Sequence, residues 1–217
     1  MTYSGAVKVG GPADVHELTD LMISKVAVGP MDNNSYLLRC RATGEQLLID
    51  AAAEADTLLR LIGDDSIASV VTTHRHGDHW QALAEVVAAT GARTYAGRYD
   101  TEGIPVPTDV PVEDGDGIAV GRVRLTARHL VGHTPGSIAL VYDDPHGPPH
   151  VFTGDCLFPG GPGRTTNPEE FDSLMSGLEA KVFGVLPDET WIYPGHGNDT
   201  TLGAERPHLA EWRARGW

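Results

Sequence analysis

Thr73-His74-Arg75-His76-Gly77-Asp78-His79 places three imidazoles and a carboxylate within a short stretch. It closes residues 67–73, a largely β-branched run that suits a strand buried on both faces. In an extended or tightly turned segment, His74 and His76 point to the same side by the period of two. Asp78 and His79 then stand at the turn into a helical pattern. Nitrogen and carboxylate donors without a thiolate suit Zn²⁺ or Fe²⁺, and one ion needs only three or four of them. With further candidates elsewhere, the segment offers more donors than one ion requires, so the spacing points to two metals. Polar groups crowded at the end of a buried strand need partners.

Short strand-like runs precede this segment at Leu21–Val28, 35–40 and 46–50, with turn residues at Gly29-Pro30 and Thr43-Gly44. Residues 53–62 have helical spacing through Leu58, Leu59 and Ile62, with Gly63 placed to stop them. Residues 79–90 read as another helix, closed by Gly91. In the second half, 118–120, 123–128, Ile138–Tyr142, 151–153 and 190–193 read as strands. Asn167-Pro168-Glu169-Glu170 is a helix start, with Asn to cap, Pro in the first turn and two acids on the dipole, and that helix runs to about Phe183. Residues 202–213 form a last helix that Pro207 breaks early. Two α/β halves, sheets covered by helices, are the expected architecture. Residues 1–20 are weakly patterned, a lead-in that packs on a neighbour or stays loose, and no linker divides the 217 residues, so one domain over 1–217 is expected.

Sixteen basic against 30 acidic residues give a net charge of −14, which repels phosphate backbones and anionic lipid. Neither a nucleic acid nor a membrane is an expected partner. Cys40 and Cys156, in no CxxC spacing, are too few for a disulfide framework, and no apolar leader or long apolar stretch is seen. A soluble, cytoplasmic chain is expected. Ten histidines suit metal binding and proton transfer more than packing.

Three positions extend the donor set. Gly132-His133-Thr134-Pro135-Gly136 sets a His in a turn; Phe152-Thr153-Gly154-Asp155 ends an apolar strand on a carboxylate; Tyr193-Pro194-Gly195-His196-Gly197 sets a His between glycines, which let backbone approach a crowded centre. His-x-His-x-Asp-His, a lone His, Gly-Asp and Pro-Gly-His, in this order over residues 29–205, resemble the metallo-β-lactamase superfamily. Asp50, in Leu47-Leu48-Ile49-Asp50, resembles the family's supporting aspartate. The resemblance implies a four-layer αβ/βα sandwich with the metals at the edge between the sheets. It implies His74, His76 and His133 on a first ion, Asp78, His79 and His196 on a second, and Asp155 bridging, with Asp78 catalytic as the group orienting the nucleophile. The cofactors implied are two divalent ions, Zn²⁺ first, with Fe or Mn as alternatives, and a bridging hydroxide as nucleophile.

Carboxylate at 155, and the run Phe152-Thr153-Gly154-Asp155-Cys156-Leu157-Phe158, are similar to the glyoxalase II group and not to β-lactamases with a cysteine ligand there. Cys156 then reads as a packed thiol. A small acyl thioester is the implied substrate. Gly163-Arg164-Thr165 is similar to runs in short glyoxalase II-like hydrolases and in persulfide dioxygenases, though Thr166 stands where many of those have an acid. A mononuclear Fe²⁺ oxygenase using His74, His133 and Asp155 is therefore the alternative, with a β-lactam or lactone hydrolase as a variant. Only residues 197–217 follow His196, so the helical extension that grips glutathione in the full-length group is not expected. Arg164 is the one candidate for an anionic substrate group, set against a surface salt bridge. His129 is left outside the metal set because 123–128 reads as strand. His146 and His150 are expected in solvent, and His16 and His208 carry no signal. Trp80 and Trp191 could wall the site or pack in the core.

Overall fold

A computed structural model describes residues 3–216. Seven strands make the first sheet, in spatial order β1 (Asp14–Glu17), β2 (Leu21–Val28), β3 (Asn33–Cys40), β4 (Gln46–Ile49), β5 (Ile67–Thr72), β6 (Arg93–Gly97) and β7 (Val110–Val112). Pairing is antiparallel as far as β4 and parallel from β4 to β7. Parallel neighbours need crossovers: α1 (Ala55–Ile62) supplies one and α2 (Leu83–Thr90) the next. The second sheet contains β8 (Gly117–Val120), β9 (Val123–His129), β10 (Ile138–Tyr142), β11 (His150–Gly154), β14 (Trp191–Pro194) and β15 (Thr200–Thr201), with the β12–β13 ribbon (Leu157–Phe158 and Gly161–Pro162) beside it. Three helices follow: α3 (Pro168–Leu178), a single turn α4 (Leu202–Glu205) and α5 (Leu209–Arg215).

Strand alternation sorts the apolar side chains into three layers. Tyr36 and Leu38 of β3 and Ile138, Leu140 and Tyr142 of β10 face each other between the sheets. Leu37 and Leu48 turn outward onto Leu58, Ile62, Leu83 and Val86 of α1 and α2. Ala139 and Val141 turn outward onto Leu174, Met175 and Leu178 of α3 and Trp212 of α5. Helix, sheet, sheet, helix is the expected αβ/βα sandwich. Both faces of the central strands are buried, which is why they read as unbroken apolar runs.

Local expectations mostly match. Gly63 and Gly91 end α1 and α2 with positive φ, and the Asn167 side chain caps α3 by accepting from Glu170 N at 2.8 Å. A π-helical turn, Glu179–Phe183, continues α3, and Pro207 splits α4 from α5 through a 3-10 turn. Four differences have physical causes. The helix expected from residue 79 begins at Leu83, because the amides of Gln81 and Ala82 donate to Ala52 and Ala51 carbonyls. Only a 3-10 turn, Gly77–His79, stands where its first turn was expected. The lead-in contains β1, whose short polar sequence carries no alternation. His150 is buried, not solvated, and His16 packs among aromatic rings: both ring Nδ1 atoms lie 2.8 Å from the Tyr193 hydroxyl, and His16 stacks on Tyr3. No helix among the described residues is long and apolar enough to cross a membrane.

At one edge the sheets are joined backbone to backbone. Ile138 N donates to Thr73 O at 3.0 Å and Asn34 N to Gly195 O at 2.7 Å, while Gly195 N to Gly154 O at 2.9 Å extends the β11–β14 pairing within the second sheet. Every strand end carrying a candidate donor meets there.

Candidate metal centre

The segment after β5 delivers His74, His76, Asp78 and His79; the β9–β10 turn delivers His133; the end of β11 delivers Asp155; the end of β14 delivers His196. Donor atoms of His74, His76 and His133 lie within 4.8 Å of one another, as do those of Asp78, His79 and His196, and those of His74, His79 and Asp155. Asp155 stands between the two outer sets. Its Oδ2 is 3.6 Å from His133 Nε2 and 3.5 Å from His196 Nε2, and its Oδ1 is 3.4 Å from His79 Nε2. All seven residues singled out in the sequence therefore converge.

Two atoms in this cluster are buried without a hydrogen-bond partner, His74 Nε2 and Asp155 Oδ1. Buried polar atoms are normally satisfied, and an exception calls for an unseen partner such as an ion. His76 Nδ1 also faces His133 Nε2 at 2.9 Å, two imidazole nitrogens aimed at one point. Burial and the crowd of neighbouring imidazoles hold His74 and His76 below the ordinary histidine value, which favours the neutral, ligating form. Burial raises Asp155, yet the neighbouring His196, His79 and His74 imidazoles outweigh it and keep the carboxylate well below its usual range. Nitrogen and carboxylate donors in overlapping sets fit one or two divalent cations.

Four of the donors, His133, His196, His79 and Asp78, are aimed by a second contact, as metal-binding groups usually are. His133 Nδ1 meets Arg164 O at 2.8 Å, and His196 Nδ1 meets Met31 O at 3.0 Å. Asp50 accepts from Thr73 N and Thr73 Oγ1 and holds His79 Nδ1 at 2.8 Å. Its own backbone has φ of 57°, a left-handed conformation costly for a non-glycine residue and concentrated at functional sites. Burial opposes a charge on His79, but Asp50 and Asp155 push its pKa up to about 10. Asn33 Nδ2 donates to Asp78 Oδ2 at 2.9 Å. Burial raises Asp78, and the Asn33 amide with His79 more than offsets it. Gly195 is required by space: a Cβ there would lie 2.2 Å from Asp155 Oδ1.

Arg164 is exposed at the mouth, where it lines a cavity of about 200 Å³ with His76, His133 and Thr166. The expected surface salt bridge is absent among the described residues. Cys156 is buried against α3, apart from the donors, and burial pushes its thiol up. His129 bonds to Pro135 O and stacks on Tyr99, outside the cluster. Trp80 braces the loop through Nε1 to Arg75 O, whereas Trp191 packs with Tyr3 and His16 away from the donors.

Sequence reasoning overlooked Asp100, Lys25 and Asp199. Asp100 has no signature, lying in an irregular turn. Lys25 did leave one, as the single charge inside the apolar run Leu21–Val28.

A hydroxyacylglutathione hydrolase from Fuscovulum blasticum is 36% identical over 168 residues, 76% of this chain and 62% of that protein. The chain thus spans less than two thirds of that relative's length. Among solved structures, ETHE1 from Myxococcus xanthus superposes with a TM-score of 0.76 at 28% identity, over 88% of this chain and 84% of its own. TTHA1623, solved in a di-iron-bound form, gives 0.68 at 32% identity, over 84% of this chain and 96% of its own. A family model described as the metallo-beta-lactamase superfamily matches residues 28–196, from the end of β2 through His196, and the chain belongs to that superfamily.

Proposed function

We propose that this chain is a two-metal hydrolase of small acyl thioesters. The convergence of three overlapping donor sets, with Asp155 in reach of both outer ones and two buried donor atoms lacking partners, carries this reading. His74, His76 and His133 would hold one ion, Asp78, His79 and His196 the other, and Asp155 would bridge them. Zinc fits the donor chemistry, and iron or manganese fits it as well. Bound ions of this kind lower the pKa of a shared water toward neutrality and polarise a carbonyl oxygen.

The chain's own groups do the rest. Asp78, held ionised by Asn33, offers a carboxylate oxygen that orients a water at the centre. Arg164 offers a guanidinium to an anionic group of the substrate in the mouth beside His76 and His133. No serine or cysteine nucleophile is required. The thioester class rests on the hydroxyacylglutathione hydrolase relative and on the carboxylate at 155.

Elemental analysis of purified, unchelated protein, followed by a screen of thioesters of several small thiols, tests the reading. About two ions per chain, thioester turnover, and a folded but inactive His76→Ala variant are expected. Absence of bound metal, or turnover retained by His76→Ala, would refute it. The second reading, a single-iron oxygenase acting on persulfides, has one observation in its favour: the unpartnered atoms belong to His74 and Asp155, which such a set would share with His133. One iron per chain and oxygen consumption would select it.

A further inference from the structure

Two segments must keep register for the first donor set to exist, and one carboxylate touches both. Asp100 lies in the 3-10 turn Arg98–Gly103 and is fully buried. Its Oδ2 accepts from Arg75 N at 3.0 Å, the amide between His74 and His76. The same oxygen takes the hydroxyl of Thr134, the residue after His133. Its Oδ1 accepts from Gly136 N at 2.9 Å, and the Arg75 guanidinium approaches to 3.9 Å. Thr134 Oγ1 also meets Ser137 Oγ at 2.5 Å, so the turn carrying His133 closes on itself around this carboxylate.

Packing leaves no slack. A Cβ on Gly136 would fall 2.4 Å from Asp100 N, and one on Gly97 would fall 1.9 Å from Gly136 O. A buried carboxylate that accepts several hydrogen bonds is costly to displace, because each donor would then be stranded. None of these contacts reaches Asp78, His79 or His196, which depend instead on Asp50, Asn33 and Met31.

We infer that Asp100 is the positioning residue of the first metal set: it fixes the His74–His76 segment against the His133 turn, and it does so without touching an ion or the second set. The inference rests on the metal-site reading above but not on the thioester substrate. It predicts selectivity that a general structural role would not give.

The test is a cobalt(II) titration of metal-stripped protein, read by visible absorption, with folding checked by circular dichroism. His76→Ala and His196→Ala identify which spectral component belongs to which set. Asp100→Ala should weaken the component lost in His76→Ala about 10–100-fold, the range for removing a supporting contact, and leave the component lost in His196→Ala unchanged. Asp100→Asn, which keeps one acceptor oxygen, should recover part of that loss. Should Asp100→Ala fail to fold, Thr134→Val removes one donor only and should still weaken the same component selectively. Wild-type binding in these variants, or equal weakening of both components, would overturn the inference. Cobalt binding unaffected by either histidine substitution would overturn it together with the metal reading. Failure of the thioester screen alone would leave it standing.

Discussion

Lys25→Met isolates a fully buried ion pair outside the candidate metal centre. Lys25 sits on β2 with 0% of its side chain exposed, facing between the sheets. Its Nζ donates to Gly5 O at 2.6 Å, Gly197 O at 2.8 Å and Asp199 Oδ1 at 2.6 Å, while the Tyr3 hydroxyl donates to Asp199 Oδ2. Burial lowers the lysine and raises Asp199, and each partner opposes the other's shift. Methionine fills the volume but strips a buried carboxylate of its cation and two carbonyls of their donor. Breaking one side of such a pair costs about 3–5 kcal/mol, a large share of a typical 5–15 kcal/mol stability. Urea unfolding in the presence of chelator, which removes stabilisation by bound metal, should show that loss. Lys25→Met with Asp199→Leu should be less destabilised than the sum of the two single variants, because each single change strands the other charge. A loss below about 1 kcal/mol, or strict additivity, would refute the reasoning. Gly197 adjoins His196, so cobalt binding by the second set should also weaken in Lys25→Met.

A histidine lowered from 6.5 to about 4, as His150 is by burial and then by His16 against the pull of Asp144, binds its proton more readily when unfolded. Its contribution is complete above pH 6.5 and is lost as pH falls toward 4, by about 3 kcal/mol; His150→Phe should flatten that part of the stability profile in chelated protein. Cys156→Ser should leave metal content and turnover unchanged, and the native thiol should resist a thiol reagent until the chain unfolds, since the sulfur is buried. Gly195→Ala should reduce bound metal measured by elemental analysis, with the circular dichroism spectrum kept, because its Cβ would meet both Asp155 Oδ1 and His79 Cε1.

Much of this was legible in the chain because two kinds of pattern carried it. Strands covered on both faces left apolar runs, and the candidate donors are polar residues that stand where such runs end, as at Thr72–His74 and Gly154–Asp155. Strand β1 escaped because its edge position asks little of its side chains. Asp100 escaped for a different reason: two of its partners are the main-chain amides of Arg75 and Gly136, which any residue but proline offers, and the Thr134 hydroxyl lies far along the chain. His150 misled because Gly147-Pro148-Pro149 signals a turn, while the residue after it already lies in β11 against Tyr193. The glycines at 195 and 136 were visible, but the atoms that exclude a side chain there come from distant parts of the chain.

The backbone seam that joins the two sheets also ties together parts of the chain made at different times. His74 through His79 leave the ribosome well before His133, and His196 comes last. The amide of Ile138 must reach Thr73, and Asn34 must reach Gly195, before the early and late donors share a centre. Contacts so distant along the chain form slowly. Neither half alone holds one of the three donor groups, so the proposed sites are complete only when both halves are docked.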